Sequence, residues 1–156
     1  MESTGSYGSW ATLTDSVSID IDTVAPDAPV VESVTITEDG VEYVGTETTT
    51  DEITISEVDA GHNVTELMDS GDGVTLPWGE TLFHFDPALS DGSHLVVTET
   101  DDAGNDNSTF LVLEETGTNA VDLEGLDDFN IGSIDLSFAK DAELTIDAAT
   151  LQDLSS

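Results

Sequence analysis

Between Val30 and Leu113 no stretch of eleven or more residues carries the period of a helix; apolar residues alternate in short runs cut by Asp, Gly and Asn. That punctuation confines this part of the chain to short strands joined by tight turns. Residues 30–37 are rich in β-branched side chains and turn at Glu38-Asp39-Gly40, an Asp-Gly hairpin signal, into residues 41–44. A polar loop, 46–51, leads to a strand at 53–58, and Asp59-Ala60-Gly61-His62-Asn63 turns it back into 64–68. Asp69-Ser70-Gly71-Asp72-Gly73 precedes 74–76, Pro77-Trp78-Gly79-Glu80 precedes 81–85, and 86–92 connects to 94–100. The last turn, 101–107, leads into a strand at 108–113.

About seven short antiparallel strands in about ninety residues are the pattern of an all-β, immunoglobulin-like sandwich, expected over residues 24–115. Two acidic stretches bracket it. Asp101-Asp102-Ala103-Gly104-Asn105-Asp106-Asn107 sets three aspartates and two asparagines around one glycine, a set of hard oxygen ligands that suits Ca2+ better than a transition metal. Ile21-Asp22-Thr23-Val24-Ala25-Pro26-Asp27-Ala28-Pro29 carries its aspartates on a chain stiffened by prolines, which fix φ and give no N–H to a sheet, so it is expected to be a linker. In such a sandwich the chain enters where the B–C and F–G loops cluster. With those loops read as 59–63 and 101–107, Asp22, Asp101, Asp102 and Asn105 are expected to share an ion, with Glu57 and Asp59 beside it. The bland alternative is that these Asp, Gly and Asn residues only form turns.

Charge narrows the function classes. The formal net charge is -34, from 35 acidic residues against one basic one, Lys140. A nucleic-acid partner or an anionic bilayer surface is thereby excluded, and no apolar run is long enough to span a membrane. With no cysteine there is no disulfide framework, so the core and whatever neutralises the carboxylates must hold the fold. A dense carboxylate surface also suits adaptation to high salt. Catalysis has no visible carrier: there is no Gly-x-Ser-x-Gly elbow, no phosphate loop and no carboxylate pair that can be singled out, and a non-enzyme is expected. His62 falls in a turn, His84 points out of a strand and His94 begins one, so no close histidine ligand pair is expected. Trp10 and Trp78 offer the alternative of a carbohydrate-binding module, which requires an exposed aromatic platform.

Asp22-Thr23-Val24-Ala25-Pro26, Asp91-Gly92-Ser93-His94 and Asp102-Ala103-Gly104-Asn105, in this order, resemble the signatures of bacterial immunoglobulin-like repeats in giant secreted adhesins of the RTX type. The resemblance covers about residues 15–115. It implies a calcium-stiffened extender that holds an adhesive tip away from the cell, secreted to the cell surface. It also implies neighbouring modules of the same chain as partners and a monomeric state.

The flanks differ from this unit. Residues 11–21 alternate with Val17, Ile19 and Ile21 on one face, so 1–23 is expected to be the last strand of a preceding module and a linker. Met1-Glu2-Ser3-Thr4 shows no basic region before an apolar one, and the chain is expected to be a piece of a longer protein. After Leu113 the Asp-Thr-x-Ala-Pro signature does not return. Ile134, Leu136 and Phe138 alternate, as do residues 144–146, and Asp147 is placed to cap a short helix carrying Leu151 and Leu154. Residues 116–156 are expected to begin a different, β-rich C-terminal module, partly ordered or docked on the sandwich, and resemble the segment that precedes the RTX repeats of such adhesins.

Overall fold

A computed structural model describes residues 21–113, 121–139, 141–144, 146 and 148–154. The expected strand at 11–21 and the capping residue Asp147 lie largely or wholly outside them; Ile21, which is described, is exposed and in no strand. Among the described residues there are nine strands and one helix: β1 (Val31–Thr37), β2 (Gly40–Glu47), β3 (Glu52–Val58), β4 (Val64–Asp69), β5 (Val74–Thr75), β6 (Glu80–Leu89), β7 (His94–Thr100), β8 (Asp106–Leu111), β9 (Ile131–Asp135) and α1 (Ala148–Leu154). They form one sheet in the order β1-β2-β6-β5 and another in the order β4-β3-β7-β8-β9. The first eight strands reproduce the A-B-E-D and C′-C-F-G orders, so the fold is an immunoglobulin-like all-β sandwich with an added C-terminal strand.

The core between the sheets follows from strand alternation. Val41, Val44, Ile53, Ile55, Phe83, Phe85, Leu95, Val97, Leu111 and Leu113 point inward and are buried, and each large apolar side chain removed from water contributes about 1.5–3 kcal/mol. Turn chemistry sets the register. Gly40, at φ 121°, closes the β1–β2 hairpin with its α-carbon pressed towards the Leu89 carbonyl, where a Cβ would clash. β6 runs four residues beyond the expected Phe85, and Pro87, which has no N–H to give, falls where the β2–β6 register is irregular.

One structural fact reshapes the C-terminal part. β9 pairs with β8 in parallel, with Phe110 opposite Ile134 and Leu111 opposite Asp135. A parallel neighbour needs a crossover, and this one passes over the outer face of the second sheet. There Val58, Val96, Phe110 and Val112 meet Leu126, Ile131, Ala139 and Leu154 in a second buried cluster. β7 and β8 are consequently apolar on both faces, which is why Leu95-Val96-Val97 and Phe110-Leu111-Val112-Leu113 are unbroken runs rather than alternating ones.

If this second layer is part of one cooperative unit, Leu126→Ala, at a fully buried position, should lower the stability of the whole chain by about 2–5 kcal/mol in a single urea transition. A midpoint for the sandwich equal to that of the parent chain would show that 121–154 is energetically separate.

Candidate functional site

Asp101 organises its loop through its own side chain. Oδ1 accepts the N–H groups of Ala103 and Asn105 at 2.8 and 2.9 Å, and Oδ2 accepts Asn105 Nδ2 at 2.9 Å. The Gly104 N–H donates to the Asp101 carbonyl, the Asp101 N–H donates to the Asn105 carbonyl, and Gly104 takes φ 85°. This is a type I turn closed by a left-handed residue, a standard three-residue hairpin connection. The side-chain amide of Asn105 is the largest influence holding the Asp101 carboxyl below the usual aspartate range, helped by the backbone N–H groups. Three of about four lone-pair positions of that carboxylate are thus engaged in shaping the turn.

Residues 59–63 form the same loop. Asp59 Oδ1 accepts from Gly61 and Asn63 at 2.8 and 2.9 Å, the Asn63 amide reaches both Asp59 oxygens, and the carboxyl is again held low, first by the Asn63 backbone N–H. The position that Gly104 fills in the other loop is here His62, at φ 60°. This loop joins β3 to β4, however, and the B–C connection is 48–51. Glu57 pairs with Leu95 while Glu52 pairs with Thr100, so Glu57 and Asp59 stand about 20 Å along the strands from Asp101. The expectation that they neighbour Asp22, Asp101, Asp102 and Asn105 is therefore corrected: they lie at the opposite end, where Ser93 donates to Glu57.

The linker does meet the F–G loop. Asn105 Nδ2 donates to the Asp22 carbonyl at 3.3 Å, Asn107 Nδ2 to the Pro26 carbonyl at 3.0 Å and Thr109 Oγ1 to the Pro29 carbonyl at 2.6 Å. A segment with prolines at 26 and 29 offers carbonyls and few N–H groups, so side-chain donors at alternate positions, Asn105 just before β8 and Asn107 and Thr109 within it, are its natural partners. Asp22 itself caps the Val24 N–H, and Asp102 is exposed at the turn. On the same end Glu99, which accepts from Thr49, is pushed above the usual glutamate range by burial first and then by the neighbouring Asp51 and Asp27.

Sequence reasoning missed another cluster altogether. His62 Nε2 lies 3.3 Å from Asp122 Oδ2, and His62 Nδ1 lies 3.3 Å from Glu124 Oε2. Among the described residues, this is the one group of three His, Asp or Glu side chains whose ligand atoms all fall within 4.8 Å of one another. Its carboxylates come from the crossover, sixty residues away in sequence, and only the packing of that crossover reveals them. His84 stacks on Tyr43 near Glu42, and His94 is buried, accepting the Leu113 N–H. Trp78 is 71% exposed with its indole N–H on Glu80, a single ring rather than a platform; Trp10 lies outside the described residues. Among the described residues no helix is long and apolar enough to cross a membrane. Comparison with protein-family models, with curated proteins and with solved structures finds no match.

The two lowered carboxyls contribute stability that is present above the ordinary aspartate value of about 3.9 and is lost as pH falls below it through the folded-state values. Carboxyl-carbon NMR titration should place Asp59 and Asp101 below the other exposed aspartates, and Asn105→Ala should return Asp101, but not Asp59, towards the ordinary range. An Asp101 that already titrates with the bulk would contradict the role given to the Asn105 amide.

Proposed function

We propose that this chain is a non-catalytic, calcium-stabilised structural module, an extender that keeps the segment before it in a fixed direction, as in a secreted bacterial cell-surface adhesin. The observation that carries this reading is the row of donors Asn105, Asn107 and Thr109 on the carbonyls of Asp22, Pro26 and Pro29, which ties the linker to the sandwich. Around that row stand Asp22, Asp27, Asp51, Glu99, Asp101 and Asp102, a hard-oxygen set of the kind Ca2+ takes in six- to eight-fold coordination. The Glu99 carboxyl is raised by burial first, with Asp51 and Asp27 adding to it, and a divalent cation beside them relieves that added repulsion.

The fit is to a loose site. Among the described residues no three of these carboxylates have ligand atoms within 4.8 Å of one another, and Asp101 is largely engaged with its own turn. A bound ion therefore has to share water and draw the linker carboxylates in. That matches the weak affinities, about 0.1–1 mM, typical of extracellular calcium modules. In this role the partners are neighbouring modules of the same chain and the protein works as a monomer.

Calorimetry at fixed ionic strength tests this. With Ca2+ at about 100 times its dissociation constant, one site adds about 2.7 kcal/mol, or about 5–10 °C in Tm for a chain of this size. Asp22→Ala should weaken that response and speed hydrogen exchange at 21–29 while the sandwich stays folded. Equal melting temperatures in Ca2+, Mg2+ and chelator would instead identify a salt-adapted sandwich with no specific site.

A further inference from the structure

We propose that His62, Asp122 and Glu124 form a second cation site, at the end of the sandwich opposite the linker, that takes a borderline first-row ion such as Zn2+ and fastens the crossover to the β3–β4 turn. The ring nitrogens each face a carboxylate oxygen at 3.3 Å. A neutral imidazole has one N–H to give to one of these carboxylates and one lone pair on the side of the other. A metal ion on that side is held by nitrogen and oxygen together, while the remaining N–H stays fixed by a carboxylate, the usual arrangement around a metal-bound histidine. The 3.3 Å between that nitrogen and the oxygen it faces matches the ligand-to-ligand edge of a tetrahedral ion with bonds of about 2.0–2.1 Å. Of the two carboxylates, one thus ligates the ion with the imidazole and the other orients the ring, and water fills the remaining positions.

Two further features are specific to this place. His62 holds φ 60° where the twin loop carries Gly104, so an imidazole is kept against a backbone preference that glycine satisfies without cost. Gly125, at φ 86°, seats the crossover turn directly on the His62 carbonyl, where a Cβ would lie 2.8 Å from that oxygen. An imidazole donor separates this site from the oxygen-only end: nitrogen favours Zn2+, Co2+ or Ni2+ over Ca2+. The next acidic group in the loop, Asp59, is engaged by Asn63 and Gly61.

The test is a Zn2+ titration of the whole metal-stripped chain in a saturating Ca2+ background, followed by calorimetry and by NMR of the His62 ring nitrogens. The expected result is one Zn2+ per chain, a large shift of one His62 ring nitrogen, and slower hydrogen exchange at 121–125. His62→Asn, chosen because Asn tolerates the left-handed conformation, should weaken Zn2+ binding tenfold or more, since loss of even an outer partner costs about 10–100-fold. Should that variant misfold, Asp122→Asn makes the same test with the loop intact. Unchanged Zn2+ affinity in these variants would show only a polyanion's ion atmosphere and overturn the proposal. So would a His62 ring that ignores Zn2+ and holds two protons at neutral pH, because the cluster would then be an ion pair. Neither result bears on Ca2+ at the linker end.

Discussion

The packing of β7 and β8 on both faces is the constraint on which the rest of the structure depends. Leu95, Val97, Leu111 and Leu113 close the space between the sheets, while Val96, Phe110 and Val112 carry the crossover and β9. These two strands hold the F–G loop between them, so the loop's position is set by buried side chains on either side of it. The linker then rests on Asn105, in the turn before β8, and on Asn107 and Thr109, which alternation places on the same side of β8 as Leu111. At the far end, the crossover that covers Phe110 also brings Asp122 and Glu124 to His62. Both candidate cation sites are in this sense consequences of one doubly buried pair of strands.

The strands were legible because their periodicity is local. β1, β3, β4 and β7 fall within a residue or so of the runs visible in the sequence, since alternation and Asp/Gly/Asn turns act over a few residues. The meeting of 21–29 with 101–107 was legible as well, because the chain enters such a sandwich beside its F–G loop. The placement of Glu57 and Asp59 was not. The connection 48–51 passes from one sheet to the other without Gly, Asn or Pro, whereas 59–63 advertises itself with all the signs of a major loop, and counting loops by such signs shifts the strand letters by one. The parallel pairing of β9 is a long-range contact with no local signature, although the unbroken apolar runs 95–97 and 110–113 announced that something must cover the second face.

A chain with 35 acidic residues and one lysine cannot satisfy its carboxylates with ion pairs. The structure shows what replaces them. Asp59 and Asp101 take amides from Asn63 and Asn105, Glu57 takes Ser93, Glu99 takes Thr49, and Glu80 takes Ser33 and the Trp78 indole. Neutral donors lower the energy of individual carboxylates. They do nothing for the net charge. Long-range repulsion among carboxylates remains after every local bond is made, and it acts against the compact state.

That residue of repulsion is largest where acidic groups from separate segments are forced together, because each segment's own donors are already engaged. At the linker end, Asp27, Asp51 and Glu99 come from three different parts of the chain, and their repulsion adds to burial in making the Glu99 carboxyl hold its proton more tightly. At the other end, Asp122 and Glu124 close on His62, a side chain able to accept a metal ion. A mobile cation is the one component that neutralises charge and joins segments in a single act. Where it binds, it stabilises the contact between segments more than the fold within either one. Cation dependence should therefore concentrate at the two junctions of this molecule, linker to sandwich and crossover to sandwich, and leave the inter-sheet core, which has no charge to neutralise, nearly indifferent to the ion present.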